Sequence, residues 1–130
     1  MASEVVINPA QLSTTLKKIL DEYGEDVLDY VDEAIVKTAM EAQKEVKKTS
    51  PKKSGRYAKG WSVDKKETSE GPYETIYNKN TYQLTHLLEF GHVLKVGGRV
   101  AGTVSAKPHI APIQDKTPDI FEKKLKEVMK

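Results

Sequence analysis

NPAQLSTTLKKILDEYGEDVLDYVDEAIVKTAMEAQKEVKK, residues 8–48, is the stretch whose reading decides how this chain folds. Leu12, Leu16, Ile19, Leu20, Tyr23, Val27, Val31, Ala34, Ile35, Thr38, Ala42 and Val46 recur at spacings of three and four, which puts them on one stripe of an α-helix. Lys, Glu and Asp fill the other faces. Asn8 and Pro9 supply a start signal, because Asn accepts bonds from unpaired first-turn amides and Pro at the first helical position loses no hydrogen bond. Thr49-Ser50-Pro51 supplies the stop, since the residue before a proline is pushed away from helical angles. One straight helix over this span is about 58 Å long at 1.5 Å per residue, longer than a compact domain of this size is wide. Gly24, near the middle, favours a bend or a break into two helices there. The length of the stripe predicts that part of it is covered by another subunit.

Working outward, residues 49–60 read as a basic, mobile loop with Ser54-Gly55 and Gly60 as turn residues. Trp61, Val63 and Lys65 alternate with Ser62, Asp64 and Lys66, and Tyr73 to Tyr77 follows a turn-rich Thr68-Ser69-Glu70-Gly71-Pro72, so 61–78 predicts an antiparallel hairpin. Asn78 to Thr81 offer caps for a short helix over 81–91, stopped by Gly91, with Leu84, Leu87, Leu88 and Phe90 as the buried contacts that hold the fold. Residues 92–107 are Gly-rich and basic without helical periodicity, and read as a flexible, extended hairpin loop. Within 108–130 a final helix is expected from about Thr117 to Met129, with Pro118 in its first turn and Ile120, Phe121, Leu125 and Val128 or Met129 on its stripe. The 130 residues therefore predict a single domain of α+β class: a long N-terminal helix, a small antiparallel sheet with a short helix, a long Gly-rich loop and a C-terminal helix.

Composition removes several kinds of chemistry. The chain has no cysteine, which excludes disulfides, thiolate nucleophiles and cysteine-held metal centres. Met1 to Pro9 carry no basic segment followed by an apolar run, and no stretch approaches the roughly 20 apolar residues of a membrane span, so a soluble chain is expected. Gly97 to Gly102 has the glycine spacing of a phosphate loop, but Thr103 and Val104 stand where Lys and Ser or Thr are needed, and a plain flexible loop is the better reading. His86, Glu89 and His92 are spaced by three and in principle suit a metal, yet His92 lies past the stop at Gly91, and polar residues near a helix end account for them more simply. His109 stands isolated beside a proline. The acids, Glu22, Glu25, Asp26, Asp29, Asp32 and Glu33 among them, run along a helix face rather than converging, and no nucleophile elbow or dinucleotide fingerprint is present. Neither catalysis nor a cofactor or metal is expected.

Charge is unevenly spread. Lys47 to Lys66 holds eight bases against Asp64 alone, a local +7 that leaves −5 for the rest of a chain whose net charge is +2. With Tyr57 and Trp61 interleaved, this cluster raises an alternative, a small nucleic-acid-binding protein, because bases release counterions from phosphates and aromatics stack on nucleobases. The same two aromatics equally suit a sheet anchor or a protein interface.

The succession Thr49-Ser50-Pro51-Lys52-Lys53-Ser54-Gly55-Arg56-Tyr57-Ala58-Lys59-Gly60-Trp61, then Asn78-Lys79 and Tyr82-Gln83-Leu84-Thr85-His86-Leu87-Leu88-Glu89-Phe90-Gly91-His92, resembles the head–tail joining proteins of long-tailed bacteriophages, minor tail components of neck or tail-completion type. Gly97-Gly98-Arg99-Val100-Ala101-Gly102 and Lys107-Pro108-His109-Ile110-Ala111-Pro112 extend that resemblance to the C-terminus. It implies a structural virion protein that assembles in the host cytoplasm as an oligomeric ring between head and tail, without catalysis or cofactor. The partners so expected are copies of the chain itself, the adjacent connector and tail proteins, and DNA passing through the lumen, with no membrane. The residues expected to contact partners are Lys52, Lys53, Arg56, Tyr57 and Lys59 in the basic segment and Lys95, Gly97, Gly98, Arg99 and Gly102 in the Gly-rich loop. Whether Arg99 faces DNA or an acidic neighbour stays open at this point.

Overall fold

The computed structural model describes residues 4–51, 55–69, 71–79 and 82–129, and within the last span the side chains of 82–84 and 86 lie outside the description. The stripe of residues 8–48 is not one rod. A short strand β1 (Val5–Ile7) leads into α1 (Ser13–Tyr23), a 3-10 turn (Glu25–Tyr30) and α2 (Val31–Thr49). Asn8 does cap, with Oδ1 accepting from Gln11 N at 3.1 Å, but it caps a turn that precedes the helix. The break falls at Gly24, whose φ of +85° and ψ of −177° lie outside what a side chain tolerates, while its amide still closes α1 on Leu20 O at 2.8 Å.

Beyond α2 come a one-turn α3 (Arg56–Lys59), β2 (Trp61–Thr68), β3 (Gly71–Asn78), α4 (Tyr82–Phe90), β4 (His92–Val96), β5 (Arg99–Val104) and α5 (Ala111–Val128). The class is α+β. Three strands form an antiparallel sheet in the order β1-β3-β2, and β4 and β5 pair separately as a hairpin. Val5 and Val63 stand on either side of Ile76 in register, which makes one apolar row across the sheet. α2 lies against β3 and β2, and α5 packs beside it against β1. Gln114 of α5 covers the outer edge of β1, with Oε1 accepting from Val6 N at 2.8 Å and Nε2 donating to Val6 O at 2.9 Å. β1 was not expected from the sequence, since three apolar residues are too short for a period to show.

These packings correct the expectation that a second subunit must cover the stripe. Leu12, Ile19, Val27, Val31, Ala34, Ile35, Thr38, Ala42 and Val46 are buried within one chain, Leu16 and Leu20 pack partly against the same core, and Tyr23 is left out. The turn at Gly24 divides the stripe between α1 and α2, and α5 packs on both halves, contributing Ile113, Phe121 and Leu125. Helix α5 also starts earlier than expected, at Ala111, so Pro118 sits in its interior rather than its first turn. Proline lacks the amide that would bond Gln114 O, and Thr117 Oγ1 bonds that carbonyl instead, at 2.8 Å.

Leu87 and Phe90 of α4 do not hold the fold as expected. Phe90 is 52% exposed and Leu87 is exposed, Leu88 is only partly buried, and Leu84 falls among the side chains outside the description. Among its described side chains, α4 buries Thr85 and Glu89.

Candidate functional site

The hairpin of β4 and β5 is the part of the chain least accounted for by the fold. Val96 pairs with Arg99 across a two-residue turn, Gly97-Gly98, in which both φ values are positive (58° and 79°). This is the type I′ geometry whose twist matches that of the flanking strands, and it is why two glycines stand there. A bulge after Leu94 shifts the register. Val93, Leu94, Val96 and Val100 are exposed, with Val96 at 70% and Val100 at 67%, and Lys95 and Arg99 stand among them. The hairpin packs chiefly on itself. Contiguous exposed apolar surface of this kind is uncommon on a monomeric protein.

Its base, by contrast, is fixed. Gly91 opens β4 at φ +75°, and a Cβ there would lie 2.5 Å from Val104 O and 2.9 Å from Ala106 N, so the two feet of the hairpin approach through a gap only glycine leaves. Lys107 N donates to Leu88 O at 2.7 Å. Glu89, at the end of α4, accepts three backbone amides from the start of α5: His109 N at 2.8 Å and Ile110 N at 3.0 Å on Oε1, and Ala111 N at 3.0 Å on Oε2. Residue Ile110 stands at the N-cap position and offers no side-chain acceptor, and the first turn of α5 has no acid of its own. A carboxylate from α4 satisfies the amides and faces the positive end of the α5 dipole.

His109 completes the anchor. Its Nδ1 faces two acceptors, Lys107 O at 2.8 Å and Glu89 Oε1 at 3.1 Å, which places the proton on that nitrogen and leaves Nε2 to accept from the Tyr57 hydroxyl at 2.6 Å. Tyr57, Trp61 and His109 meet edge to face, with centroids 5.4 to 6.1 Å apart. Burial pushes the Tyr57 phenol above its ordinary pKa, and the Glu89 carboxylate adds in the same direction. Trp61 Nε1 donates to Ser50 Oγ at 2.8 Å, and Asn78 Nδ2 donates to Tyr57 O at 2.7 Å. All three side chains of this Tyr-His-Glu chain are buried.

The residues expected to contact partners therefore separate. Lys95, Gly97, Gly98 and Arg99 are exposed at the hairpin and Gly102 is half-buried in β5; Arg56 and Lys59 are exposed on α3. Lys52 and Lys53 lie outside the described residues. Tyr57 is turned inward, and residues 55–60 are a hydrogen-bonded turn of helix rather than a mobile loop, because Tyr57 and Trp61 draw that segment into the core. With both aromatics buried, the stacking half of the nucleic-acid alternative has no exposed ring in this segment. Glu89, read from the sequence as a polar residue near a helix end, is instead a buried capping group, and His109 is not isolated. One signal pointed to them: a helix whose own N-terminus lacks Ser, Thr, Asp or Asn needs an acceptor from elsewhere. Among the described residues no group of three or more His, Cys, Asp or Glu could hold a metal ion, and no helix is long and apolar enough to cross a membrane.

Residues 14–91, more than half of the chain, match the family model described as "Bacteriophage HK97-gp10, putative tail-component". The chain belongs to this family. Neither a curated protein nor a solved structure matches it. Membership makes the chain a phage tail component, a structural protein of the virion that works among other phage structural proteins. The matched span runs from α1 through Gly91, so it contains Tyr57, Trp61 and Glu89 of the anchor and stops where the hairpin begins.

Proposed function

We propose that this tail component acts at the junction of head and tail, as a subunit of a ring set between the connector and the tail tube, and that the β4–β5 hairpin is its principal contact with neighbouring proteins. The observation that carries this reading is a hairpin pinned at its base by Glu89, His109 and Gly91 while Val93, Leu94, Val96 and Val100 are left uncovered. A pre-ordered arm loses little conformational freedom on docking, which is what a subunit that must lock into an assembly needs. Lys95 and Arg99 on the hairpin, and the basic segment that carries Lys52, Lys53, Arg56 and Lys59, supply its basic contacts with partners. Because the stripe of α1 and α2 is covered internally, assembly joins subunits that are already folded rather than completing their cores.

The test replaces residues 94–103 by a short Gly-Ser turn in a phage that carries this gene. The purified variant should keep its far-ultraviolet circular dichroism, and infected cells should accumulate filled heads and separate tails under the electron microscope. Infectious particles at wild-type titre would refute the assignment.

A further inference from the structure

A ring needs two faces on each subunit, and the chain carries a second unoccupied surface whose character is the reverse of the hairpin's. Tyr23, Asp26, Val27, Tyr30, Lys126 and Met129 line an open groove of about 500 Å³ between the 3-10 turn and the end of α5. Tyr23 is 53% exposed there. From Asp21 to Glu33 the chain has seven exposed acids and no base. Lys126 enters the same groove, but Glu122 holds it at 2.9 Å, so its charge is matched within the subunit. On the hairpin side the balance is opposite: from Gly91 to Gln114 the charged residues are Lys95, Arg99 and Lys107, with no acid.

We propose that the hairpin of one copy seats in the Tyr23–Met129 groove of the next, its valines against the tyrosines and Met129 and its Lys95 and Arg99 against the acids of the 3-10 turn. This rests on the ring reading above and names the contact that would build it. The placement of the two surfaces fits a head-to-tail joint. The hairpin ends at the start of α5 and the groove lies at its other end, about 22 Å away at 1.5 Å per residue from Ala111 to Lys126. Two different patches, one beside each end of α5, make a heterologous contact, which closes into a ring when the rotation between subunits permits. The opposite charges orient the encounter and make association salt-sensitive.

Native mass spectrometry over a concentration series, at low and high salt, tests the pairing with the full chain, the shortened-hairpin variant and a groove variant, Tyr23→Ser with Asp26→Lys. Tyr23 and Asp26 are exposed, residues 94–103 are exposed apart from the half-buried Gly102, and circular dichroism checks that each variant is folded. Oligomers of the wild type should weaken with salt, and each variant alone should be monomeric. Mixed one to one, the two variants still share one intact hairpin and one intact groove, so they should give dimers of unlike chains and nothing larger. Oligomers that persist in both variants would overturn the pairing and leave the ring reading standing. A wild type that stays monomeric, or variants that both lose assembly without forming the mixed dimer, would also overturn it, and the head–tail joining assay then judges the ring reading separately. Retention on duplex DNA that is lost with the hairpin, without self-association, would assign the hairpin to nucleic acid and overturn the pairing.

Discussion

Replacing Glu89 by Ala should cost this protein a large part of its stability, because one buried carboxylate accepts three amides, at 2.8, 3.0 and 3.0 Å, and also faces His109 Nδ1 at 3.1 Å. Residues His109 and Ile110 are buried, so their amides would find no water once the acceptor is gone. Leaving a buried donor unpaired costs about 1–3 kcal/mol, and loss of a helix N-cap alone costs about 1 kcal/mol. The removed carboxylate no longer has to be desolvated, which offsets part of this, and about 3 kcal/mol of net destabilisation is the expected result. Against a typical total of about 5–15 kcal/mol for a domain, that loss lowers the melting temperature by roughly 10 °C at this chain length. Trp61 is the sole tryptophan, buried in contact with His109, so its emission reports unfolding from within the anchor. Urea titration should show a lower midpoint with an unchanged slope. Glu89→Gln, which keeps one carbonyl oxygen for the His109 and Ile110 amides and loses the acceptor for Ala111, should fall between Ala and wild type. A Glu89→Ala variant within 1 kcal/mol of wild type would show that the carboxylate is not what caps α5.

Tyr57→Phe should keep the edge-to-face packing with Trp61 and His109 but strip His109 Nε2 of its donor, costing about 1–2 kcal/mol in the same urea assay. Gly91→Ala should destabilise by more than 1 kcal/mol, since the added Cβ meets Val104 O and Ala106 N and the φ of +75° is itself strained; hydrogen exchange should show the loss concentrated in the hairpin. Glu74 is buried on β3 between Ile7 and Lys65, and its Oε1 has no hydrogen-bond partner among the described residues. Burial raises its carboxyl pKa above the ordinary value; Lys65 opposes the shift, and the Glu67 and Asp64 charges reinforce it. A raised carboxylate pKa means that the folded state holds its proton more tightly than the unfolded one, so stability is lost as pH climbs from the ordinary carboxylate range through the folded value. Glu74→Gln should accordingly stabilise the protein at pH 7 by on the order of 1 kcal/mol and make little difference in acid, which thermal melts across pH would read.

Much of the secondary structure was legible because it depends on local chemistry. The spacing of Ile19, Val27, Ala34, Ile35, Ala42 and Val46 marks helix whatever it packs on, Gly24 marks the one place where the backbone can turn, and alternation around Trp61 and Val63 marks strand. The candidate site was legible as a glycine-rich, basic, extended hairpin loop, because Gly97-Gly98 is turn chemistry that two neighbouring residues carry by themselves. The exposure of its valines depends on what does not pack against it, and no local window contains that information. For the same reason, Leu87 and Phe90 were read as core: an apolar residue on a short helix reports a preference for burial, but which side the rest of the chain occupies decides the outcome.

The amino-acid order alone determined the breaks and periods of the chain, the absence of thiol chemistry and the separation of a basic stretch from an acidic one, because each of these is a property of neighbouring residues. Tertiary structure alone decided that the first helical stripe is covered from within and that the base of the hairpin is locked. Those outcomes rest on hydrogen bonds between distant positions, Val6 with Gln114, Tyr57 with His109 and Glu89 with the first turn of α5. Such bonds form only once packing has excluded water from both partners, and sequence proximity gives no measure of where that happens.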